Sequence, residues 1–272
     1  MKISVMCGGF RLGLEGGVKK AREIGASGVQ MYAGDLGLDF SKPICAPCVR
    51  GVKEFVKEEG IVISAVCVEL GGFACDAELI PERVEKTKRM IDIAELLEVK
   101  TVTAHIGKVP EDKSEAKYIQ IKAAMTEIGT YCADRGMVFA IETGPEKAYI
   151  LRAFLEDIGS AGLGINFDPA NLVMCSDDDP VAAVSLLAPW IKHCHAKDGI
   201  CLTREVHKPW PDVKEGAKWI EVPLGMGEVD FPAWVAALKA NGYDGYLAIE
   251  REVGPDPAKD IKTALDFLVT II

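Results

Sequence analysis

The stretch MVFAIETGPEKAYILRAFLEDIGSAGLGINFDPAN, residues 137–171, contains a strand, a helix and a second strand. Two short apolar runs, 137–142 and 163–168, flank a segment over 147–158 whose apolar residues recur at helical spacing. Nearly continuous apolar runs are typical of parallel strands that are buried on both faces. Each run ends in a carboxylate, Glu142 or Asp168. The stretch therefore predicts one βα unit and the parallel strand that follows it.

The same pattern recurs along the whole chain. The predicted strands are 2–6, 28–32, 61–66, 101–105, 137–142, 163–168, 191–195 and 246–250. Helical patterns are clearest at 81–97, 113–135, 147–158, 180–188, 231–241 and 257–271. This alternation predicts an α/β chain that forms a single (β/α)8 TIM barrel domain over residues 1–272. An open doubly wound sheet gives the same local pattern, but the Gly-x-Gly-x-x-Gly fingerprint is missing after the first strand.

Polar side chains stand at the carboxyl ends of the last four predicted strands. They are Glu142, Asp168, His195 and Glu250. Barrel active sites are built from these ends, so four consecutive strands would bring the side chains to one point. Carboxylates this close repel one another, and a cation offsets the repulsion. Three oxygen ligands and one imidazole suit Mn²⁺, Mg²⁺ or Co²⁺, with Zn²⁺ less typical, so we expect one divalent metal ion, manganese first.

Each of these residues also has a structural explanation. A carboxylate after a strand can cap the next helix or form an ion pair. An imidazole near a core is more often a hydrogen-bonded structural residue than a ligand. His193 shares the strand face of His195 but lies further from the strand end, so His195 is the better ligand candidate. Four such residues in series favour a metal site over coincidence.

Composition narrows the function classes. The formal net charge of −10 disfavours nucleic acid as a partner, because nucleic-acid binders carry a basic surface. No long apolar run predicts a membrane span, and residues 1–6 lack the apolar region of a secretory signal, so we expect no membrane association and a cytoplasmic location. Nine scattered cysteines predict reduced thiols. The spacing of Cys45 and Cys48 suggests a redox or zinc site, but we attribute it to chance.

Five segments, 140–143, 166–171, 193–198, 223–231 and 247–250, carry a family resemblance. In them the chain resembles the xylose isomerase-like superfamily of sugar phosphate isomerases and epimerases, which includes ketose 3-epimerases and inosose-processing enzymes. The resemblance implies a barrel that holds a divalent metal through Glu142, Asp168, His195 and Glu250. It also implies that Glu142 and Glu250 remove and return a proton.

The implied activity is a metal-dependent isomerase or epimerase of carbohydrates. It would act by proton transfer through a metal-stabilised enediolate on a keto-sugar or a 3-keto-glycoside. Return of the proton on the opposite face gives epimerisation, and return at the neighbouring carbon gives isomerisation. Where a leaving group lies β to the carbanion, the same site would act as a 3-keto-glycoside lyase.

Departures from the ketose 3-epimerases bear on the substrate. Those enzymes resemble one another in a Glu-Pro-x-Asn stretch, where this chain has ETGP at 142–145. They usually have histidine where Asn171 stands and arginine where Cys201 stands. A free ketohexose is therefore disfavoured, and segments 168–171 and 223–227 look closer to members that handle oxidised glycosides.

Further residues are candidates for contact with a small carbohydrate substrate. They are His105, Asn171, Lys197, Trp210 and Glu252. A strand-end cap, a surface charge or a packing role explains each of them equally well. Trp210 belongs to the long connection 197–229, whose length is typical of a lid. The resemblance also implies a homo-oligomer.

Two other function classes stay open at this point. Endonuclease IV-like nucleases belong to the same superfamily, but they resemble one another in three zinc ions and many histidines. This chain has only four histidines, and its net charge opposes DNA binding. A barrel that binds a sugar without turnover is the second alternative, although four costly polar groups without a function would be unusual.

Overall fold

A computed structural model describes residues 1–38, 42–211 and 213–272. Eight parallel strands close into a barrel, and a two-stranded antiparallel ribbon lies beside it. The barrel strands are β1 Lys2–Met6, β2 Gly28–Tyr32, β3 Val62–Cys67, β4 Thr101–Ala104, β5 Val138–Glu142, β6 Leu163–Phe167, β7 Ile191–Ala196 and β10 Tyr246–Ile249. The ribbon consists of β8 Asp198–Cys201 and β9 Trp219–Val222. The predicted (β/α)8 barrel is confirmed, while its extent as one domain over 1–272 stays a prediction.

Helices follow the barrel strands around the outside. They are α1 Gly13–Ile24, α2 Ala46–Glu58, α3 Ile80–Leu96, α4 Ala116–Ala133, α5 Ala148–Ile158, α6 Pro169–Asn171, α7 Pro180–Leu187, α8 Phe231–Ala240 and α9 Pro257–Val269. Proline stands in the first turn of α2, α3 and α6 to α9, where its missing N–H costs no helical hydrogen bond. Aspartate caps α6, α7, α8 and α9. Each aspartate side chain accepts at least one backbone N–H group of the first helical turn, which fixes the residue at which the helix begins.

The inside of the barrel contains a polar layer as well as apolar side chains. Ser4, Gln30, Thr103, Asn166 and His193 are all buried. Gln30 on β2 donates to Thr103 Oγ1 on β4 at 2.9 Å, although these strands are not neighbours. The contact therefore crosses the barrel interior. Hydrogen bonding of this kind is what makes burial of polar groups tolerable.

Most predicted strands differ from the observed ones by one residue at an end. His105, Asp168 and Glu250 lie directly after their strands instead of inside them. A strand at the barrel mouth stops pairing where the loop turns away, so its last predicted residue faces the site. All three residues still lie at the carboxyl edge of the barrel, as the predicted site requires.

The long connection 197–229 is more ordered than predicted. It begins with the β8–β9 ribbon, in which Asp198 pairs with Val222. The buried Asp198 carboxylate accepts backbone N–H groups from Gly199, Gly225, Gly227 and Val229 at 2.8–3.2 Å. A Cβ at Gly227 would lie 2.1 Å from Asp198 Oδ1, so glycine is needed there. This carboxylate anchors the return of the connection to the barrel.

The cysteine prediction was wrong for one pair. Cys45 and Cys48 are joined by a disulfide at the start of α2, and the other seven cysteines are free. The first helical turn places residues three apart on the same face, which brings the two sulfur atoms together.

No helix in the described part of the chain is long and apolar enough to cross a membrane.

Candidate metal centre

The four predicted ligands come from neighbouring strands and meet at the barrel mouth. β5, β6, β7 and β10 are consecutive around the barrel, and one ligand atom from each residue lies within 4.8 Å of the others. His195 Nδ1 lies 3.4 Å from Glu142 Oε1, 3.8 Å from Asp168 Oδ2 and 3.0 Å from Glu250 Oε2. All four residues are buried. The structure thus brings the set together, and its role in metal binding is a proposal.

Asp168 combines a structural role with a free oxygen. Its Oδ1 accepts the N–H groups of Ala170 and Asn171 at 2.8 and 3.2 Å, so the residue caps α6. The backbone of Asp168 is held by the Thr143 hydroxyl, which contacts its N–H and its carbonyl at 2.8 Å. Among the described residues, Asp168 Oδ2 has no hydrogen-bond partner although it is buried. The helix cap therefore aims the second oxygen at the cluster.

The orientation of His195 is fixed from inside the barrel. Its Nε2 lies 3.1 Å from Gln30 Oε1, which can only accept, and 3.1 Å from Asn166 Nδ2, which can only donate. Gln30 itself is oriented by its hydrogen bond to Thr103. When Nε2 donates its proton to Gln30 and Nδ1 carries none, the lone pair of Nδ1 faces the carboxylates. Nδ1 has no hydrogen-bond partner in the described structure and is buried, which is the state expected of a metal ligand whose other nitrogen is held by a polar neighbour.

Two asparagines position Glu142. Asn171 Nδ2 donates to Glu142 Oε1 at 3.0 Å, and Asn166 Nδ2 donates to Oε2 at 3.3 Å. Asn166 is oriented in turn by His193, whose Nδ1 lies 3.0 Å from Asn166 Oδ1. His193 thus lies one layer below the cluster and supports it, as its deeper place on the strand predicted. Asn171, a predicted substrate contact, is 8% exposed, and its side chain holds the carboxylate of Glu142.

Glu250 is held by a buried cation. Lys197 Nζ donates to Glu250 Oε2 at 3.1 Å and to Glu252 Oε2 at 2.8 Å. Behind them, Arg251 donates to Glu221 at 2.7 Å and to Asp260 at 2.8 Å. Acidic and basic side chains alternate along these contacts, so each buried charge has a partner of opposite charge. Lys197 therefore orients one of the two carboxylates that the sequence assigns to proton transfer.

Electrostatics show that the cluster attracts positive charge. Burial alone would lower the pKa of His195, but the charges of Glu250 and Glu142 raise it well above its ordinary value. Burial would raise the pKa of Glu142 and of Glu250, yet His195 holds both below their ordinary values, with Lys197 adding to the effect on Glu250. Burial raises the pKa of Asp168. The protein without metal thus gathers a proton where a cation would sit.

The donor set fits a divalent cation. Asp168 Oδ2 and His195 Nδ1 are buried, have no hydrogen-bond partner in the part of the chain that is described, and lie in one cluster with Glu142 and Glu250. Three oxygen ligands with one nitrogen match Mn²⁺, Mg²⁺ and Co²⁺ better than Zn²⁺. The residues present therefore suit the metal that the sequence predicts.

The other predicted substrate residues lie at different distances from the cluster. His105 is exposed at the mouth, with Nε2 3.4 Å from Glu142 Oε1, and its backbone N–H donates to Glu69 Oε1 at 3.1 Å. Glu252 is exposed and holds Lys197. Trp210 is half-buried in the connection between β8 and β9, and no described hydrogen bond or ring contact joins it to the cluster. Its contact with a substrate stays a prediction.

A cavity of about 320 Å³ opens beside Glu250. Its lining includes Gly8, Arg11, Tyr32, Asp35 and Glu252, which lie at the carboxyl end of β2 and in the loops after β1, β2 and β10. A carbonyl compound of sugar size fits a space of this order. Sequence reasoning missed Tyr32, although its place at the carboxyl end of the predicted strand 28–32 was an available signal. It missed Asp35 because nothing in the pattern of β2 shows where the following loop will fold.

Sequence reasoning also missed the supporting residues Gln30 and Asn166. Both are polar residues inside strands that are otherwise apolar, GVQMY at 28–32 and LGINF at 163–167. That exception was the available signal, since a buried polar side chain needs a partner. It does not reveal which partner the closed barrel provides.

Comparison with known proteins agrees with this geometry. A family model described as a xylose isomerase-like TIM barrel matches residues 18–271. The chain belongs to the xylose isomerase-like TIM-barrel family. Within this family, a xylose isomerase domain protein from Planctomyces limnophilus superposes with a TM-score of 0.81 at 26% identity, covering 99% of this chain and 96% of the other.

Two further relatives of this xylose isomerase-like barrel carry names of dehydratases. An inosose dehydratase from Lacticaseibacillus casei is 36% identical over 103 residues, which is 36% of this chain and 34% of that protein. The match thus spans about a third of the curated relative. The probable 3-DHS dehydratase AsbF from Bacillus anthracis has a TM-score of 0.77 at 21% identity over 99% of both chains, a likeness that shows the fold alone.

Proposed function

We propose that this protein is a metal-dependent isomerase or epimerase that moves a proton on the carbon beside the carbonyl of a keto-sugar or a 3-keto-glycoside. One observation carries the proposal: Asp168 Oδ2 and His195 Nδ1 are buried, have no hydrogen-bond partner among the described residues, and lie close to Glu142 and Glu250. A cation-binding set with two carboxylates beside a sugar-sized cavity suits this chemistry.

A divalent cation held by Glu142, Asp168, His195 and Glu250 would acidify the carbon-bound proton as a Lewis acid. The chain's own residues then handle the proton. Glu250, which lines the cavity, accepts it on one face, while Lys197 keeps this carboxylate oriented and ionised. Glu142, held by Asn166 and Asn171 on the other side of His195, returns a proton. Two carboxylates from different strands are what epimerisation needs.

Elimination is the second candidate. The match to an inosose dehydratase supports it, because loss of water from the carbon β to a carbonyl begins with the same proton abstraction. A 3-keto-glycoside lyase would differ only in losing an alcohol instead of water. Asn171 cannot donate a proton to a leaving group, so His105 at the mouth is the residue that we propose would do so in this case.

The remaining expectations stay proposals. A small carbohydrate as the partner is supported by the acidic, sugar-sized cavity. A nuclease is not favoured, because the four-residue cluster holds one histidine and the net charge is −10. Seven free cysteines are compatible with the proposed cytoplasmic location. The proposed homo-oligomer rests on the family resemblance alone.

Solvent-deuterium incorporation tests the proposal. The Mn²⁺-loaded protein is incubated in D₂O with a panel of ketoses, sugar phosphates, ketocyclitols and 3-keto-glycosides, and exchange is followed by NMR. We expect metal-dependent exchange at one carbon, lost in both Glu142→Gln and Glu250→Gln and kept in Glu156→Gln, an exposed control on α5.

The products separate the candidates. An epimer or isomer with deuterium at the exchanged carbon supports the first candidate, and an unsaturated product with loss of water or alcohol supports elimination. No exchange with any compound, despite measured Mn²⁺ binding, would contradict both and favour a protein that binds a sugar without turnover.

A further inference from the structure

The start of α2 holds a cysteine pair that the metal centre does not use. Cys45 precedes the helix, Cys48 lies in its first turn, and a disulfide joins them across Cα atoms 5.3 Å apart. The residues between them are Ala46 and Pro47. The segment is thus a Cys-x-x-Cys sequence that opens a helix after a barrel strand. In reducing compartments, disulfides of this kind are typically transient and take part in thiol exchange.

The pair is open to other molecules, unlike most cysteines of this chain. Cys45 and Cys48 are exposed, whereas five of the seven free cysteines are buried. Burial raises the pKa of Cys7 and of Cys132 to about 12 each, so those two stay protonated and unreactive. An external sulfur compound can therefore reach the disulfide without unfolding the barrel.

The surroundings favour a thiolate at this place. No described side chain caps the start of α2, and the positive end of the helix dipole lies beside the cysteine pair, where the Ala46 N–H already donates to the Ile44 carbonyl. A cavity of about 220 Å³ lies beside the pair and is also lined by Lys42 and Arg89. The Arg89 guanidinium donates to the Lys42 carbonyl, which holds it at this cavity. Helix N-termini and nearby cations both stabilise thiolates, and a stabilised thiolate is the better leaving group.

We propose that Cys45 and Cys48 form a thiol–disulfide exchange site that cycles between disulfide and dithiol, with an external dithiol as the reductant. A thiolate of the reductant attacks one sulfur atom, the bond between Cys45 and Cys48 breaks, and a mixed disulfide forms. The released cysteine leaves as a thiolate and takes a proton. The second thiolate of the reductant then breaks the mixed disulfide, so the protein gains two electrons and the reductant becomes a disulfide.

This site is separate from the proposed metal-dependent activity. The cysteine pair follows β2, whereas the proposed metal ligands lie at the carboxyl ends of β5, β6, β7 and β10. The exchange can therefore be measured on the full chain with or without metal, and its outcome does not depend on the sugar chemistry.

The test is a redox titration of the native protein. The full chain is equilibrated in buffers with graded ratios of reduced to oxidised dithiothreitol or glutathione, quenched with acid, alkylated, and analysed by mass spectrometry of its peptides. We expect one reversible two-electron transition in the peptide that carries Cys45 and Cys48, with a gain of two labelled thiols on reduction. The transition should give the same midpoint from the oxidised and the reduced side.

Two variants sharpen the result. Cys175→Ser removes an exposed free cysteine and should leave the transition unchanged. Cys45→Ser should abolish it and let Cys48 accumulate as a one-to-one mixed disulfide with glutathione. Two free thiols at every ratio would overturn the proposal, and so would a disulfide that resists reduction until the circular dichroism of the protein is lost.

Discussion

Replacing Gln30 tests whether His195 binds the metal through Nδ1. Gln30 is fully buried, and its Oε1 is the acceptor that holds His195 Nε2 at 3.1 Å. In Gln30→Met a side chain of similar size removes this acceptor. The imidazole then loses the hydrogen bond that fixes its tautomer and ring orientation. Changes of this kind in supporting residues typically weaken metal binding about 10- to 100-fold, or by about 1.4–2.7 kcal/mol.

The same substitution also affects the metal-free protein. It leaves the Nε2–H of His195 and the hydroxyl of Thr103 without their present partner, which costs about 1–3 kcal/mol of folding free energy. Urea unfolding of the metal-free protein measures this loss of folding free energy separately from the metal affinity. A domain of this size has enough stability for the variant to stay folded at low urea.

Isothermal titration with Mn²⁺ gives the affinity, with Ser64→Ala as the matched control. The Ser64 hydroxyl contacts Ser4 Oγ at 3.0 Å inside the same barrel and has no described contact with His195. We expect the control to bind Mn²⁺ like the wild type and Gln30→Met to bind it at least tenfold more weakly. Unchanged affinity in folded Gln30→Met would show that His195 does not depend on this tautomer and would refute the assigned ligand geometry.

Three further changes have distinct expected results. Asp168→Asn keeps an oxygen for the α6 cap but removes the charged ligand. Mn²⁺ binding should therefore be lost in calorimetry, while the melting temperature of the metal-free protein stays within a few degrees of the wild type. A large fall in that temperature would contradict the assignment of Oδ1 to the helix cap and Oδ2 to the metal. Burial raises the pKa of Glu146 from 4.5 to about 7, so its protonated form stabilises the fold fully below pH 4.5 and this contribution is lost as pH rises through 7. Glu146→Gln should therefore match the wild type at pH 4 and be more stable at pH 8 by up to about 3 kcal/mol in urea unfolding, and equal stability at both pH values would rule this out. Asp198→Ala should cost about 3 kcal/mol and speed protease cleavage in the segment 223–229 after β9, since four backbone donors lose their acceptor. Resistance of this segment to the protease would show that Asp198 is not the anchor.

The sequence predicted the barrel and the place of the cluster for a simple physical reason. Parallel strands in a closed barrel all end at the same face, so a residue's position at a strand end already fixes where it lies. The place of Glu142 could be predicted from the end of β5 alone, and the place of Asp168 from the end of β6 alone. Errors of one residue at these ends did not move the side chains to the other face of the barrel.

Contacts across the barrel could not be predicted in the same way. Gln30 and His195 are 165 residues apart, and their meeting depends on the tilt and stagger of eight strands at closure. The disulfide at Cys45 was missed for a different reason, because the spacing of two cysteines does not show whether the first helical turn includes both. The lining of the cavity by Asp35 depends on a loop conformation that carries no periodic signal.

The metal centre and the cavity draw on different parts of the fold. The ligands are held from within by strand residues such as Gln30 and Asn166, whose partners are fixed by barrel closure. The cavity is lined mainly from the loops, by residues such as Arg11 and Asp35. We therefore expect a change in one of these loops to alter which compound enters the cavity without moving the four clustered side chains, because a barrel carries its specificity in its loops.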